Sequence, residues 1–149
     1  MAGVTAFSHV ALTVTDLQRS EDWYSRVLGL VRVLADDDGS GHRLVYLVQP
    51  QTLLGVALHS HAGNPGTPFS ETVTGLDHVS FQVGSRAELD EWADRLAGLG
   101  VTHSPVVEAS YGSVLSFRDP DRIALEFFFL PQPVMDSIRS ALAGRMTAV

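Results

Sequence analysis

The chain has 149 residues, a net charge of −7 and an apolar fraction of 45%, enough for a packed interior and too much for a disordered chain. Its 10 Lys and Arg never gather into a stripe, which excludes the electrostatic footprint of a nucleic-acid binder. With no cysteine, disulfides, thiolate nucleophiles and Cys-ligated metal sites are excluded as well.

In chain order, the N-terminus shows neither the basic nor the long apolar segment of an export signal. No apolar run approaches the roughly 20 residues that span a bilayer, so a cytoplasmic protein with no membrane partner is expected. Residues 7–14 alternate as a strand, with Val10, Leu12 and Val14 on one side and His9, Ala11 and Thr13 on the other. Thr15 or Asp16 caps a helix to about Leu28, whose buried side is marked by Leu17, Trp23, Tyr24, Val27 and Leu28 and which Gly29 ends. Short strands follow near 30–34, 43–48 and 53–59, with a solvated turn at Asp36-Asp37-Asp38-Gly39. A linker rich in Gly, Pro and Thr, about 62–74, closes this first module of about 5–61.

The second module, about 75–130, repeats the pattern. Residues 76–83 form its first strand, and Ser85 with Glu88 makes a capping box for a helix through Leu89, Trp92 and Leu96. Strands are predicted near 101–107, 113–117 and 123–129, with Asp119-Pro120-Asp121-Arg122 turning the last pair. A tail helix at about 134–145, set off by Pro131 and Pro133, shows Met135, Ile138 and Leu142 on one side. Sliding the sequence by 69 residues lays His9 on His78, Trp23 on Trp92, Arg26 on Arg95, Leu30 on Leu99 and Leu58 on Phe127 without a gap. Two copies of a unit this long indicate a duplicated module rather than a solenoid. The expected class is α+β: two tandem βαβββ modules making a curved mixed sheet around a cavity, plus a C-terminal helix, in one domain over 1–149.

Strand parity points to the chemistry. The face away from each helix carries His9, Ala11 and Thr13, then Gly55, Ala57 and His59, in the first copy. In the second copy it carries His78, Ser80 and Gln82, then Ala124, Glu126 and Phe128. A carboxylate amid Ile123, Leu125, Phe127 and Phe128 needs its charge compensated. Two imidazoles and a cation would do so, and such donors suit Fe, Mn, Ni, Co or Zn.

Ser8-His9-Val10-Ala11-Leu12, Leu28-Gly29-Leu30, the run from Leu76 to Phe81 and the run from Asp119 to Glu126 together resemble the vicinal oxygen chelate superfamily over nearly the whole chain. That superfamily includes glyoxalase I, methylmalonyl-CoA epimerases, fosfomycin-inactivating thiol transferases, extradiol dioxygenases and bleomycin-binding proteins. The resemblance implies His9, His78 and Glu126 as ligands of one divalent metal ion and a small-molecule substrate chelating it through two adjacent oxygens. In some relatives a carboxylate placed like Glu126 also moves protons, which makes it a catalytic candidate. The residues themselves offer Thr13, His59, Ser80, Gln82 and Phe128 as substrate-binding candidates on the cavity face. Tyr111, just before a strand, reads as either a catalytic acid or hydrogen-bond donor or a turn aromatic. The resemblance also implies a homodimer, with glyoxalase-like lyase or isomerase chemistry, or dioxygenase-like chemistry. The alternative is a metal-free drug- or metabolite-binding protein of the bleomycin-resistance type.

Three positions depart from the pattern. Ala57 stands where glyoxalase I and the epimerases usually carry a fourth ligand; His59, two residues on along the same strand face, reads as a substitute for that ligand, as a hydrogen-bonding partner of substrate or as a cap of the strand end. Ser116 stands where extradiol dioxygenases often carry a tyrosine, and Arg122 where the Asp-Pro-Asp turn usually has glycine. Trp23 and Trp92 read as helix–sheet core. His42, His61 and His103 read as loop or strand-end residues, and Asp36 to Asp38 as a hairpin tip rather than a calcium loop.

Overall fold

The computed structural model describes residues 3–146. They form two compact units, one the chain up to Phe69 with Asp119–Arg122, the other Ser70–Arg118 with the chain from Ile123. The first unit contains β1 (His9–Thr13), α1 (Leu17–Leu28), β2 (Val31–Asp37), β3 (His42–Val48) and β4 (Gly55–His61). The second contains β5 (Val79–Gln82), α2 (Arg86–Gly98), β6 (Val107–Ala109), β7 (Gly112–Arg118), β8 (Ala124–Phe129) and α3 (Gln132–Met146). This is the α+β, twice-βαβββ architecture with a C-terminal helix that the periodicity predicts.

Each unit has its own four-stranded sheet, ordered β1-β4-β3-β2 and β5-β8-β7-β6. In both, the first strand runs parallel to the last and the other neighbours are antiparallel. The duplication extends to the register: Ala11 faces Ala57 as Ser80 faces Glu126, both members shifted by 69 residues (80 − 11 and 126 − 57).

Local chemistry fixes the elements. Asp16 caps α1 by accepting from the Arg19 backbone N–H at 3.0 Å, and Gly29 ends it in the left-handed region at φ 69°. The predicted capping box opens α2: the Glu88 N–H donates to Ser85 Oγ at 3.2 Å, while Glu88 Oε2 accepts from the Gly84 N–H at 3.0 Å. Leu12, Val14, Trp23, Tyr24, Val27, Leu47, Val56 and Leu58 pack the first core; Phe81, Leu89, Leu96, Leu115, Leu125 and Phe127 pack the second. Trp23 is buried, and Trp92 is half-buried with its ring stacked 4.1 Å from that of Phe127.

Some boundaries differ. The strand predicted near 101–107 shrinks to β6 and a single bridge between His103 and Phe117, because Pro105 cannot donate to a ladder. Asp36 and Asp37 are paired in β2, opposite Leu44 and Arg43, so the turn begins at Asp38. The α3 stripe is not packed away: Ile138 and Leu142 are exposed.

The Asp-Pro-Asp turn belongs to the first unit, and its carboxylates explain why. Asp121, only 8% exposed, accepts from the Thr15 N–H at 2.9 Å, from the Thr15 hydroxyl and from Arg19 Nη2 at 2.6 Å. Asp119 accepts from the Tyr24 hydroxyl at 3.1 Å and from the Asp121 N–H at 2.9 Å. Buried carboxylates persist only where donors surround them in this way. Arg122 follows with φ 67°, the left-handed conformation that suits the glycine usual at this position.

Burial, and then the Asp119 charge, push the Tyr24 phenol well above its ordinary range. A raised folded-state value means stability is complete below the unfolded value of about 10 and is lost as pH rises beyond it. Urea unfolding should therefore weaken steeply above pH ~10, and Tyr24→Phe should flatten that decline while lowering neutral-pH stability by about 1–3 kcal/mol.

Candidate functional site

The face of the second sheet turned away from α2 holds the clearest pair. His78, just before β5, places Nε2 3.4 Å from Glu126 Oε1 on β8. Parallel pairing sets Glu126 beside Ser80, and the β7–β8 ladder sets Ser116 on its other side. Glu126 is 19% exposed and His78 44%, so the carboxylate is less deeply enclosed than its apolar sequence neighbours suggest. The far ring nitrogen of His78, Nδ1, donates to Asp77 Oδ1 at 2.6 Å. That hydrogen bond is the main reason the imidazole's pKa is raised, with the Glu126 charge adding to it against partial burial. His78 and Glu126 line a cleft of about 460 Å³ with Asp77, His103, Ser116 and Arg118. Arg118 is held there by Glu71 through contacts of 2.6 and 3.1 Å.

The donor chemistry suits a divalent ion. One imidazole nitrogen and one carboxylate oxygen face each other, and a second carboxylate fixes the ring through its other nitrogen, the outer-shell arrangement typical of ligating histidines. Asp77 escaped the sequence reading, although its position beside a candidate ligand was a usable signal.

On the first sheet, His9 is exposed on β1, its ring edge-on to Tyr46 with centroids 5.6 Å apart. Tyr46 lies over Gly55, where an added Cβ would stand 2.1 Å from the phenol oxygen, so the glycine is what admits the ring. Strand parity could have found Tyr46, since it shares a face with His42 and Leu44. His59, paired with Thr13, sits with His42 and His61 in a cluster. Sequence reasoning missed this cluster, because His42 and His61 are strand residues paired across β3 and β4. Partial burial and then the neighbouring imidazoles lower the His59 pKa.

The remaining candidates are dispersed. Ser80 and Gln82 are exposed on β5. Tyr111 is at the β6–β7 turn, largely exposed, its ring stacked 6.2 Å from Phe128. It does not line the cleft of His78 and Glu126, whereas His103, read as a strand-end residue, does. No helix among the described residues is long and apolar enough to cross a membrane.

Two four-stranded mixed sheets, each with its first and last strands parallel, define a glyoxalase-type fold. The sequence matches the Glyoxalase/Bleomycin resistance protein/Dioxygenase superfamily over residues 6–127, and the chain belongs to that superfamily. It is similar to the crystal structure of a glyoxylase/bleomycin resistance protein/dioxygenase domain from Frankia sp. EAN1pec, with 37% identity and a TM-score of 0.80, covering 87% of this chain and 100% of that one. The fosfomycin resistance protein FosX from Listeria monocytogenes, solved with Mn(II) and sulfate, shares the fold at a TM-score of 0.65 and 18% identity, over 89% of this chain and 98% of that one. MhqA of Bacillus subtilis (strain 168), provisionally named a ring-cleaving dioxygenase, is 25% identical over 130 residues, 78% of this chain. The chain spans only 37% of the length of MhqA.

Because the Asp77 contact is the largest influence on His78, its removal has a defined sign. In metal-free protein, NMR titration should place the His78 imidazole above the ordinary value of about 6.5, and Asp77→Asn should bring it down. An unchanged titration in Asp77→Asn would show that the contact does not govern the ring.

Proposed function

We propose that this chain is a divalent-metal-dependent enzyme acting on a small organic molecule that presents two adjacent oxygens, with His9, His78 and Glu126 as ligands of the ion. The observation that supports this reading most is the His78–Glu126 pair at 3.4 Å, with Asp77 behind the ring, at the edge of a cleft. Superfamily membership and the likeness to FosX, solved with Mn(II), lend weight to the metal. The donor set suits Fe, Mn, Ni, Co or Zn, and such an ion, when bound, supplies Lewis acidity toward a substrate oxygen.

The protein's own groups supply position and proton handling. Asp77 holds the proton on His78 Nδ1 and leaves Nε2 free to ligate. Glu126 is chiefly a ligand, and its carboxylate oxygens can also take and return a substrate proton. Ser80 flanks it with a hydroxyl, and Gln82, Thr13 and Phe128 offer further contacts to substrate. Tyr111 stacks beside Phe128 and lies outside the cleft of His78 and Glu126, so a catalytic role for it is not part of this proposal. The reaction lies among glyoxalase-like isomerisation or lyase chemistry and dioxygenase-like cleavage, carried out by a cytoplasmic homodimer.

Elemental analysis of protein purified without added ions tests the reading. His78→Ala and Glu126→Gln should each lose one equivalent of Fe, Mn, Ni, Co or Zn relative to the unaltered chain, and with it turnover of chelating substrates. Ion content unchanged in both variants would defeat the proposal. Tight binding of a small molecule that survives chelator treatment would then favour sequestration.

A further inference from the structure

We propose that His42, His59 and His61 form a second cation site, on the first sheet, that takes a divalent transition ion of the zinc type through three imidazoles. The site shares no ligand with the His9, His78 and Glu126 set and does not depend on that reading.

Sheet geometry brings the three together. His42 on β3 is directly opposite His61 on β4, and His59, two residues earlier on β4, projects from the same face. One nitrogen from each ring lies within 4.8 Å of the other two. Zinc–imidazole bonds of roughly 2.0–2.1 Å in a tetrahedral arrangement place ligand nitrogens about 3.3 Å apart, so only side-chain adjustments separate this cluster from a coordinating one. One pair is already closer than that: His42 Nε2 and His59 Nδ1 are 2.9 Å apart. A cation would take the place of the proton those two nitrogens share.

An outer carboxylate is also in place. Asp38 Oδ2 is 3.4 Å from His42 Nδ1. With its proton on that side, a neutral His42 turns the Nε2 lone pair toward His59. Asp38 is itself held in the hairpin tip, where its Oδ1 accepts from the Ser40 N–H at 2.8 Å and the Ser40 hydroxyl at 2.6 Å. Carboxylate–histidine–metal relays of this kind orient ligands in natural sites.

The duplicate provides an internal contrast. Shifted by 69 residues, positions 42, 59 and 61 become Tyr111, Phe128 and Leu130. There Tyr111 and Phe128 stack at 6.2 Å and 21°, much as His42 and His59 stack at 5.2 Å and 17°. At two of these places, 42/111 and 59/128, the scaffold is satisfied by stacked flat rings, and at the third, 61/130, by an aliphatic side chain. The first module has imidazoles at all three, which fill less apolar volume and add lone pairs. All-nitrogen donors favour zinc, nickel, cobalt or copper over magnesium or calcium, and three ligands leave a position open to water.

The test uses the full chain, stripped with a chelator, dialysed and titrated with Zn(II) by calorimetry, with Co(II) absorption as an independent probe of coordination. His61→Ala and His42→Ala should each remove one equivalent of bound ion that His78→Ala leaves in place. Asp38→Asn should keep that equivalent with affinity weakened about 10- to 100-fold. Because His61 is exposed, its variant should fold, and it decides the matter if His42→Ala does not. Wild-type stoichiometry and affinity in His61→Ala would overturn the site and leave a packing cluster like its aromatic counterpart. If His78→Ala removes nothing while His61→Ala still removes one ion, the His78 reading fails and this one stands.

Discussion

A strand that packs a helix against one face must turn every second side chain the other way, and the placement of the candidate site residues follows from that constraint. Leu125 and Phe127 are buried under α2, so Glu126 between them has to face away. Parallel pairing of β5 with β8 then sets Ser80 beside Glu126, and His78, two residues earlier, comes within 3.4 Å of the carboxylate. In the first unit Val10, Leu12 and Val14 point inward on the same principle, leaving His9 and Thr13 exposed. His9 and Glu126 are placed by strand parity alone, whereas His78 lies in the chain just before β5.

Three carboxylates differ in the way they are satisfied. Asp119 and Asp121 are buried and surrounded by amide, hydroxyl and guanidinium donors from their own unit. Their charges are spent on holding a turn. Glu126 is only half-buried, and among the described residues its charge is met by one imidazole at 3.4 Å, itself tied back by Asp77. The same bookkeeping sets Arg118, engaged by Glu71, apart from groups available to a substrate.

Much of the fold was legible because it rests on local signals. The strand period of two, the Asp16 and Ser85 caps, Gly29 and the 69-residue repeat all act through nearest neighbours or simple self-similarity. The strand predicted near 101–107 failed where Pro105 breaks the ladder, a cue present in the sequence but outweighed by its apolar residues. Of the candidate site, the His78–Glu126 pair was legible, because strand parity places a carboxylate and a histidine on one face of the second sheet. Other groupings were illegible, because cross-strand register does the assembling. Nothing local shows that His42 faces His61, because that depends on the length of the hairpin from Asp38 to Gly41. Tyr46 over Gly55 is a contact of the same kind, set by register and by the absence of a Cβ.

The register also shows how far two copies of one scaffold can differ in chemistry. At the centre of the last strand the second module has Glu126 and the first has Ala57, with identical pairing to the neighbouring first strand. At the far end of that strand the positions reverse in character: His59 and His61, opposite His42, answer to Phe128 and Leu130 near Tyr111. An alanine at position 57 costs the first sheet nothing in packing, since it is buried beside other small or apolar groups. It does deprive that sheet of a carboxylate next to His9. Any metal chemistry of the first module on its own must then rely on nitrogen donors further along the strand, whereas that of the second can draw on oxygen. Softer, nitrogen-rich coordination at one end of a duplicated fold and mixed nitrogen–oxygen coordination at the other would favour different ions, without altering a single strand pairing.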